Sequence, residues 1–402
     1  MKRRRVKITG IGPVTPAGIG KDEFWKGILE PVSRVRPYKG LGEEYGPFVA
    51  AHIPKFDILD YVNQNGQLKG AARHTLFAVA GALLALKDAG IGREDLAEAR
   101  CAIVTGTSIM DFGGTCSTID AVHKKGPRGA LARTVFSANL ASIPAAINQN
   151  LGIDARTMVL QSSCCSGMDA IGYATQLVAN GEVDIALCGG TEAPLYRCPL
   201  LELRAAGLTP PSLERPGQLS RPFDLWRTTG IVSEGACMFV IEADTCARRG
   251  YSYISGYAFA NDDSDGLCSG LAIAALEAMA DAKIRPADVD AISAWGPGHK
   301  LVDAAEARAL ARVFKRTLPE TPVVSIKGAI GTPLGAAPAI QMAAVALAQT
   351  HGTIPPTVNW EYPDPECPLN LSNCARPIEH RVTLINAHGL AGVNACLLLE
   401  RC

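Results

Sequence analysis

The chain has 402 residues, 48% of them apolar, and its 39 basic residues balance 39 acidic ones to a net charge of zero. That length and apolar content suffice for a large core, and the lack of any long single-sign run argues against a nucleic-acid footprint. Thirteen cysteines without a C-x-x-C pair offer no metal-site spacing, and their odd number, in a chain without a secretory signal, fits reduced cytoplasmic thiols.

In chain order, the short basic run Lys2–Arg5 leads directly into a strand pattern, Val6–Gly10, with no apolar leader core between them. The run is read as a solvated tail. Pro37–Phe56 is rich in Gly, Pro and Tyr and reads as a loop. Thr157–Leu160 is a buried strand, followed by a Ser-Cys-Gly turn and by Ala170–Ala179, whose apolar residues recur at helical spacing. Another buried strand follows at Val183–Cys188. Pro210–Arg227 carries four prolines and ends in Phe223-Asp224-Leu225-Trp226-Arg227. Both loop-rich segments suit either a pocket roof or surface connections. The stretch Pro333–Gln349 is apolar but broken by Gly335, Pro338 and Gln341, which predicts a buried core helix and no membrane insertion.

These elements repeat. Val323–Ile326, the Lys327–Thr332 turn and the Ala-rich helix copy the unit that begins at Thr157. Val382–Asn386 matches Val183–Cys188, and Tyr253–Tyr257 matches Val6–Gly10. The pattern predicts a pseudo-symmetric α/β architecture of two halves, 1–245 and 246–402, with a boundary near Glu242–Gly250.

Cys164 stands on the tight turn between the Thr157–Leu160 strand and the next helix. Unpaired N–H groups at a helix start favour thiolate, which makes Cys164 a candidate nucleophile. A small buried core cysteine is the alternative from periodicity alone.

Ser162-Ser163-Cys164-Cys165-Ser166-Gly167, followed by Val183 to Ala193, resembles the nucleophile region of the beta-ketoacyl-acyl-carrier-protein synthases. The likeness extends to Val6–Pro16, Arg221–Asp224, Ser233–Ala236, Lys327, Gly331, Leu334–Ala337, Gly389, Gly392 and Asn394. It implies the thiolase fold, a duplicated five-layer α-β-α-β-α arrangement with mixed sheets. Gly167-Met168-Asp169-Ala170 is also similar to type II polyketide ketosynthase and chain-length-factor subunits.

The resemblance further implies Cys164 as nucleophile and Cys165 as structural. Lys327 and Glu306 would form a buried ion pair, Asp303 would support the site, and the N–H groups of Cys164 and Leu390 would form the oxyanion hole. Two histidines of the family's pattern are replaced, by Trp295 and Thr332. Two threonines that bind the carrier's 4'-phosphopantetheine arm become Pro297 and His299, and two gate phenylalanines become His388 and Leu390. Trp295 would fill the space of the lost imidazole and block the pantetheine tunnel. His388, and after it His299, are candidates for a relocated imidazole, against the alternative of a hydrogen-bonded histidine that merely lines the pocket.

The expected function is therefore acyl transfer in fatty acid or polyketide biosynthesis, with an acyl group passing from a carrier-protein thioester to Cys164 and decarboxylative condensation impaired. The alternative is a non-elongating chain-length-factor-type partner of an active ketosynthase; a conventional synthase with a rearranged site is the least supported. No resident cofactor or metal is expected. The expected partners are an acyl carrier protein and a second subunit, in a homodimer or in a heterodimer with a related ketosynthase, in the cytoplasm.

Overall fold

A computed structural model describes residues 3–62, 68–210, 212–264 and 266–402. Lys2 of the basic run and Pro211 of the second loop-rich segment lie outside the described residues. One mixed sheet dominates, with ten strands on its main path: β1 Val6–Thr15, β2 Cys101–Gly106, β3 Ala155–Leu160, β4 Ile185–Glu192, β5 Gly235–Ala243, β6 Ser252–Asn261, β7 Ala291–Ser293, β8 Val323–Val324, β9 Val382–His388 and β10 Val393–Arg401. The strand order is β8-β7-β9-β10-β6-β1-β5-β4-β2-β3. Read outward from the centre, each half runs first strand, fifth, fourth, second, third. The same two antiparallel and then two parallel pairings follow on either side. The halves meet through the register pair Lys7↔Tyr253. The three strand correspondences read from sequence are three of these five matched positions.

The helices follow from their neighbours. α1, Arg73–Ala89, packs on β1 and β5, and α3, Ser269–Ala282, covers β6 and β10 in the other half. Two more helices, α2 Ser166–Ala179 and α5 Ala337–His351, lie against each other in the interior. α5 is buried on every side from Ala337 to Gln349, as a helix with no solvent face requires. That is the core helix expected from Pro333–Gln349. No described helix is long and apolar enough to cross a membrane.

Two expectations need correction. The basic run is no free tail: Arg4 donates to the carbonyls of Val178 and Val183, Arg3 pairs with Asp281 and Arg5 with Glu400. Its position beside the end of α2 puts the Arg4 guanidinium against the carbonyls of that helix's last turn and of Val183. Pro37–Phe56 is not all loop either, because Val35–Tyr38 and Phe48–Ala51 pair as a two-stranded ribbon.

Gly106 ends β2 directly under the first turn of α2, and a Cβ there would lie 2.1 Å from Ser166 O. Gly106→Ala should therefore displace that turn and cost about 1–3 kcal/mol, seen as a lower thermal midpoint; an unchanged midpoint would refute the contact.

Candidate active site

The turn that carries Cys164 is held by its own backbone and hydroxyl groups. Ser163 has φ of 53°, the left-handed region that a residue with a Cβ rarely occupies. Ser166 Oγ holds the turn by donating to Ser163 O at 2.5 Å and accepting from Ser162 N–H at 2.9 Å. Cys165 points into the core, where its Sγ lies 3.4 Å from Val393 O. Cys164 instead borders a cavity of about 120 Å³, lined by Trp295, Pro297, His299, Thr332, His388 and Leu390 together with apolar side chains such as Leu203, Val232 and Leu334. The structure thus brings the sequence-predicted residues around one thiol.

That thiol is not acidic. Burial and the nearby Glu192 push it up to about 11, against hydrogen bonds from Ser163 and the Leu390 N–H and the charge of Lys327. The expected lowering by the helix start does not prevail. The first helical residue is Ser166, two positions on, and desolvation of a buried thiolate outweighs the terminus.

The Leu390 N–H reaches the sulfur although its side chain is exposed. Gly389 permits this: a Cβ there would sit 2.9 Å from Ser163 Cβ and 3.3 Å from Cys164 N. The Gly389–Leu390 turn therefore rests on the turn that carries Cys164, with the Leu390 amide on the thiol.

Asp303 and Glu306 lie one turn apart at the start of the helix α4, Lys300–Phe314 (before α5 in the chain). Glu306 accepts from the N–H groups of Trp295 and Gly296 at 2.8 Å each and from Asn386 Nδ2 at 2.9 Å. Asp303 accepts from Phe223 N–H at 2.7 Å and Gly298 N–H at 3.1 Å, with Arg227 Nε at 3.6 Å. Burial raises Asp303 to about 7. Both acids therefore hold the backbone of the Trp295–Gly298 loop.

The expected Lys327–Glu306 ion pair does not form. Amides occupy both Glu306 oxygens, and Lys327 Nζ donates to Gln341 Oε1 at 2.8 Å with the Trp295 ring centroid 4.1 Å away. Burial pulls this lysine down to about 7, opposed by Glu306, Asp303 and Cys164.

Gln341 and Glu192 carry the site without having been recognised from sequence. Gln341 is the polar break in an Ala-rich helix, and its Nε2 donates to the carbonyls of Ala294 and Asn386. Glu192, a charge at the end of an apolar strand, accepts from Thr107, Gly335 N–H and both the N–H and the hydroxyl of Ser108, and burial raises it to about 7. Polar residues inside apolar runs were the available signal.

Thr332 Oγ1 is buried without a partner among the described residues. His299 caps α4, its Nδ1 accepting from Val302 N–H at 3.4 Å, and burial with Arg227 lowers its pKa. The Arg221–Arg227 end of the second loop-rich segment braces the site from behind, while Thr229, Gly230 and Val232 just beyond it reach the cavity. No group of three or more potential metal ligands occurs among the described residues.

Models of the beta-ketoacyl synthase N-terminal and C-terminal domains match residues 3–247 and 251–361. The chain belongs to the beta-ketoacyl synthase family. It is 31% identical to the tetracenomycin polyketide synthase ketoacyl synthase alpha subunit of Streptomyces glaucescens, over 99% of this chain and 97% of that protein. It is 28% identical to 3-oxoacyl-[acyl-carrier-protein] synthase 2 of Coxiella burnetii, over 100% and 99%. The ishigamide ketosynthase/chain length factor superposes with a TM-score of 0.91 at 30% identity, covering both chains fully. A type II polyketide ketosynthase solved with its acyl-carrier protein and bound to the hexaketide gives 0.89 at 26%, again over both whole chains. The thiolase fold and the resemblance read from the motifs hold over the full length of this synthase-family chain.

Lys327 also makes a pH prediction. Its value lies below the ordinary 10.5, so between about pH 7 and 10.5 the unfolded chain binds more protons and stability rises with pH. Below that window the cost is constant. Lys327→Met removes the group, so the wild type should gain thermal midpoint on this variant from pH 7 to 9; a constant difference would show a lysine that stays charged.

Proposed function

We propose that this protein is an acyltransferase of the 3-oxoacyl-synthase type that accepts an acyl group on Cys164 and does not carry out efficient decarboxylative condensation. One observation carries the reading: a cavity-facing thiol is held under the Leu390 N–H, while Trp295 and Thr332 stand where the family resemblance implies imidazoles. Acyl transfer needs a sulfur nucleophile and donors for the developing oxyanion; the Cys164 side chain would supply the first and the turn backbones the second. Condensation also needs a group that stabilises an enolate and handles its proton. The Trp295 ring lies against Lys327, and the Thr332 hydroxyl has no pKa suited to that task. Solved relatives include a ketosynthase in complex with its acyl-carrier protein, which supports a carrier protein as acyl donor here, its phosphopantetheine arm supplying the thioester. Lys327, Glu306 and Asp303 would then act through the positions of Trp295 and its loop, and Pro297, His299 and Thr332 would border the incoming arm. No resident cofactor enters this chemistry.

The second reading is a chain-length-factor-type partner subunit. The high thiol pKa and the narrow cavity favour it, and one of the superposed relatives pairs a ketosynthase with such a factor.

Intact-protein mass spectrometry after incubation with acyl-carrier-protein thioesters decides between them. Wild type and Cys165→Ala should gain the acyl mass and Cys164→Ala should not. Release of carbon dioxide from a malonyl carrier should run on the order of a hundredfold or more below that of a synthase with both imidazoles. Folded wild-type protein that gains no mass from any donor would favour the partner subunit.

A further inference from the structure

Two histidines border the cavity of Cys164, and their hydrogen bonds set opposite tautomers. His299 Nδ1 accepts from Val302 N–H, so its neutral ring carries the proton on Nε2. His388 is nearly fully buried, and its Nδ1 lies 2.8 Å from Asn394 Oδ1, the residue opposite it in the β9–β10 register. The Asn394 amide is itself oriented. Its Nδ2 lies 2.7 Å from Asp262 Oδ1, an acceptor, and Asp262 is fixed in turn by the N–H groups of Cys268 and Gly270 at 3.1 Å each. Asn394 therefore offers its oxygen to His388. The ring must donate from Nδ1, which leaves the lone pair on Nε2.

We propose that His388 Nε2 is the proton acceptor for the Cys164 thiol, with Asn394 and Asp262 as positioning residues that hold the ring in this tautomer. The inference rests on the acyl-transfer reading above. The S–H proton passes to Nε2 and the sulfur attacks the thioester carbonyl, giving a tetrahedral adduct whose oxygen faces the Cys164 and Leu390 amides. Collapse breaks the bond to the carrier sulfur, which departs with the proton from Nε2. One acyl group and one proton exchange places, and nothing is oxidised.

The other ionisable groups around the cavity are committed elsewhere. Lys327, behind Trp295, donates to Gln341. The Glu192 carboxylate, beyond Cys164, is occupied by Thr107, Ser108 and Gly335. His299 presents an N–H, and Asp262 reaches the ring only through Asn394. Among the described ionisable residues around the cavity, His388 alone offers a free lone pair.

The test is the rate of Cys164 alkylation by iodoacetamide, followed by peptide mass mapping from pH 6 to 10, beside acyl loading from carrier thioesters. His388→Gln should slow both at pH 7 by at least about tenfold. The gap should close toward pH 10, as hydroxide ionises the thiol directly. Asn394→Leu should show a smaller loss of the same pH shape, and added imidazole should partly restore His388→Ala. A wild-type rate in His388→Gln at pH 7 would overturn the proposal, as would an equal loss at every pH without imidazole rescue. Alkylation needs no carrier. His388-dependent alkylation without any acyl loading would therefore uphold the proton acceptor and sink the acyl-transfer reading instead.

Discussion

Carboxylates held by backbone amides, with little help from cations, set the shape of the cavity around Cys164. Asp303 and Glu306 together fix the N–H groups of Trp295, Gly296 and Gly298, so the loop that carries the altered residues has its path dictated from behind. A buried carboxylate without such donors would be costly, by several kcal/mol in the usual case. The loop backbone and the acids therefore depend on each other. The side chains of residues 295, 297 and 299 can change while the backbone keeps its course. Trp295 is then delivered over Lys327, and that lysine, deprived of Glu306, turns to Gln341.

The duplicated sheet explains why so many polar groups can be buried in one place. Each half sends the turn after its third strand into the interior, one carrying Cys164 and the other Lys327, ahead of α2 and α5. Those helices are apolar because strands of both halves of the sheet and each other enclose them, and their starting turns bring amides and side chains to the junction. The turn at Gly389 then closes on the turn that carries Cys164, which requires that neither a Cβ at 389 nor a different bend at Ser163 intervene.

The cost of this burial falls on the Cys164 thiol. A thiol pushed up to about 11 has little thiolate at neutral pH, so attack on a thioester has to wait until a proton is removed. Relatives-by-resemblance place imidazoles at two positions that here hold an indole and a hydroxyl. In this chain a third position, beside Asn394, supplies an imidazole with its lone pair free. Proton acceptance and enolate stabilisation are separate demands, and one ring on one side of the cavity serves the first better than the second.

The linear chain announced the strand–turn–helix unit around Cys164, the internal repeat and the apolar core helix, because each rests on local spacing or on a run of adjacent residues. Gln341 and Glu192 were visible as polar interruptions of apolar runs, yet their partners lie at Lys327 and at Thr107, Ser108 and Gly335, which only folding brings near. The same limit explains the ion pair that did not form and the basic run that is not free. Both depend on competing partners distant in sequence. Sequence by itself determined which chemical groups this protein has at its centre. The tertiary structure decided their protonation and orientation, since burial, amide donors and the Asp262–Asn394–His388 chain are properties of the packed site and of no single segment.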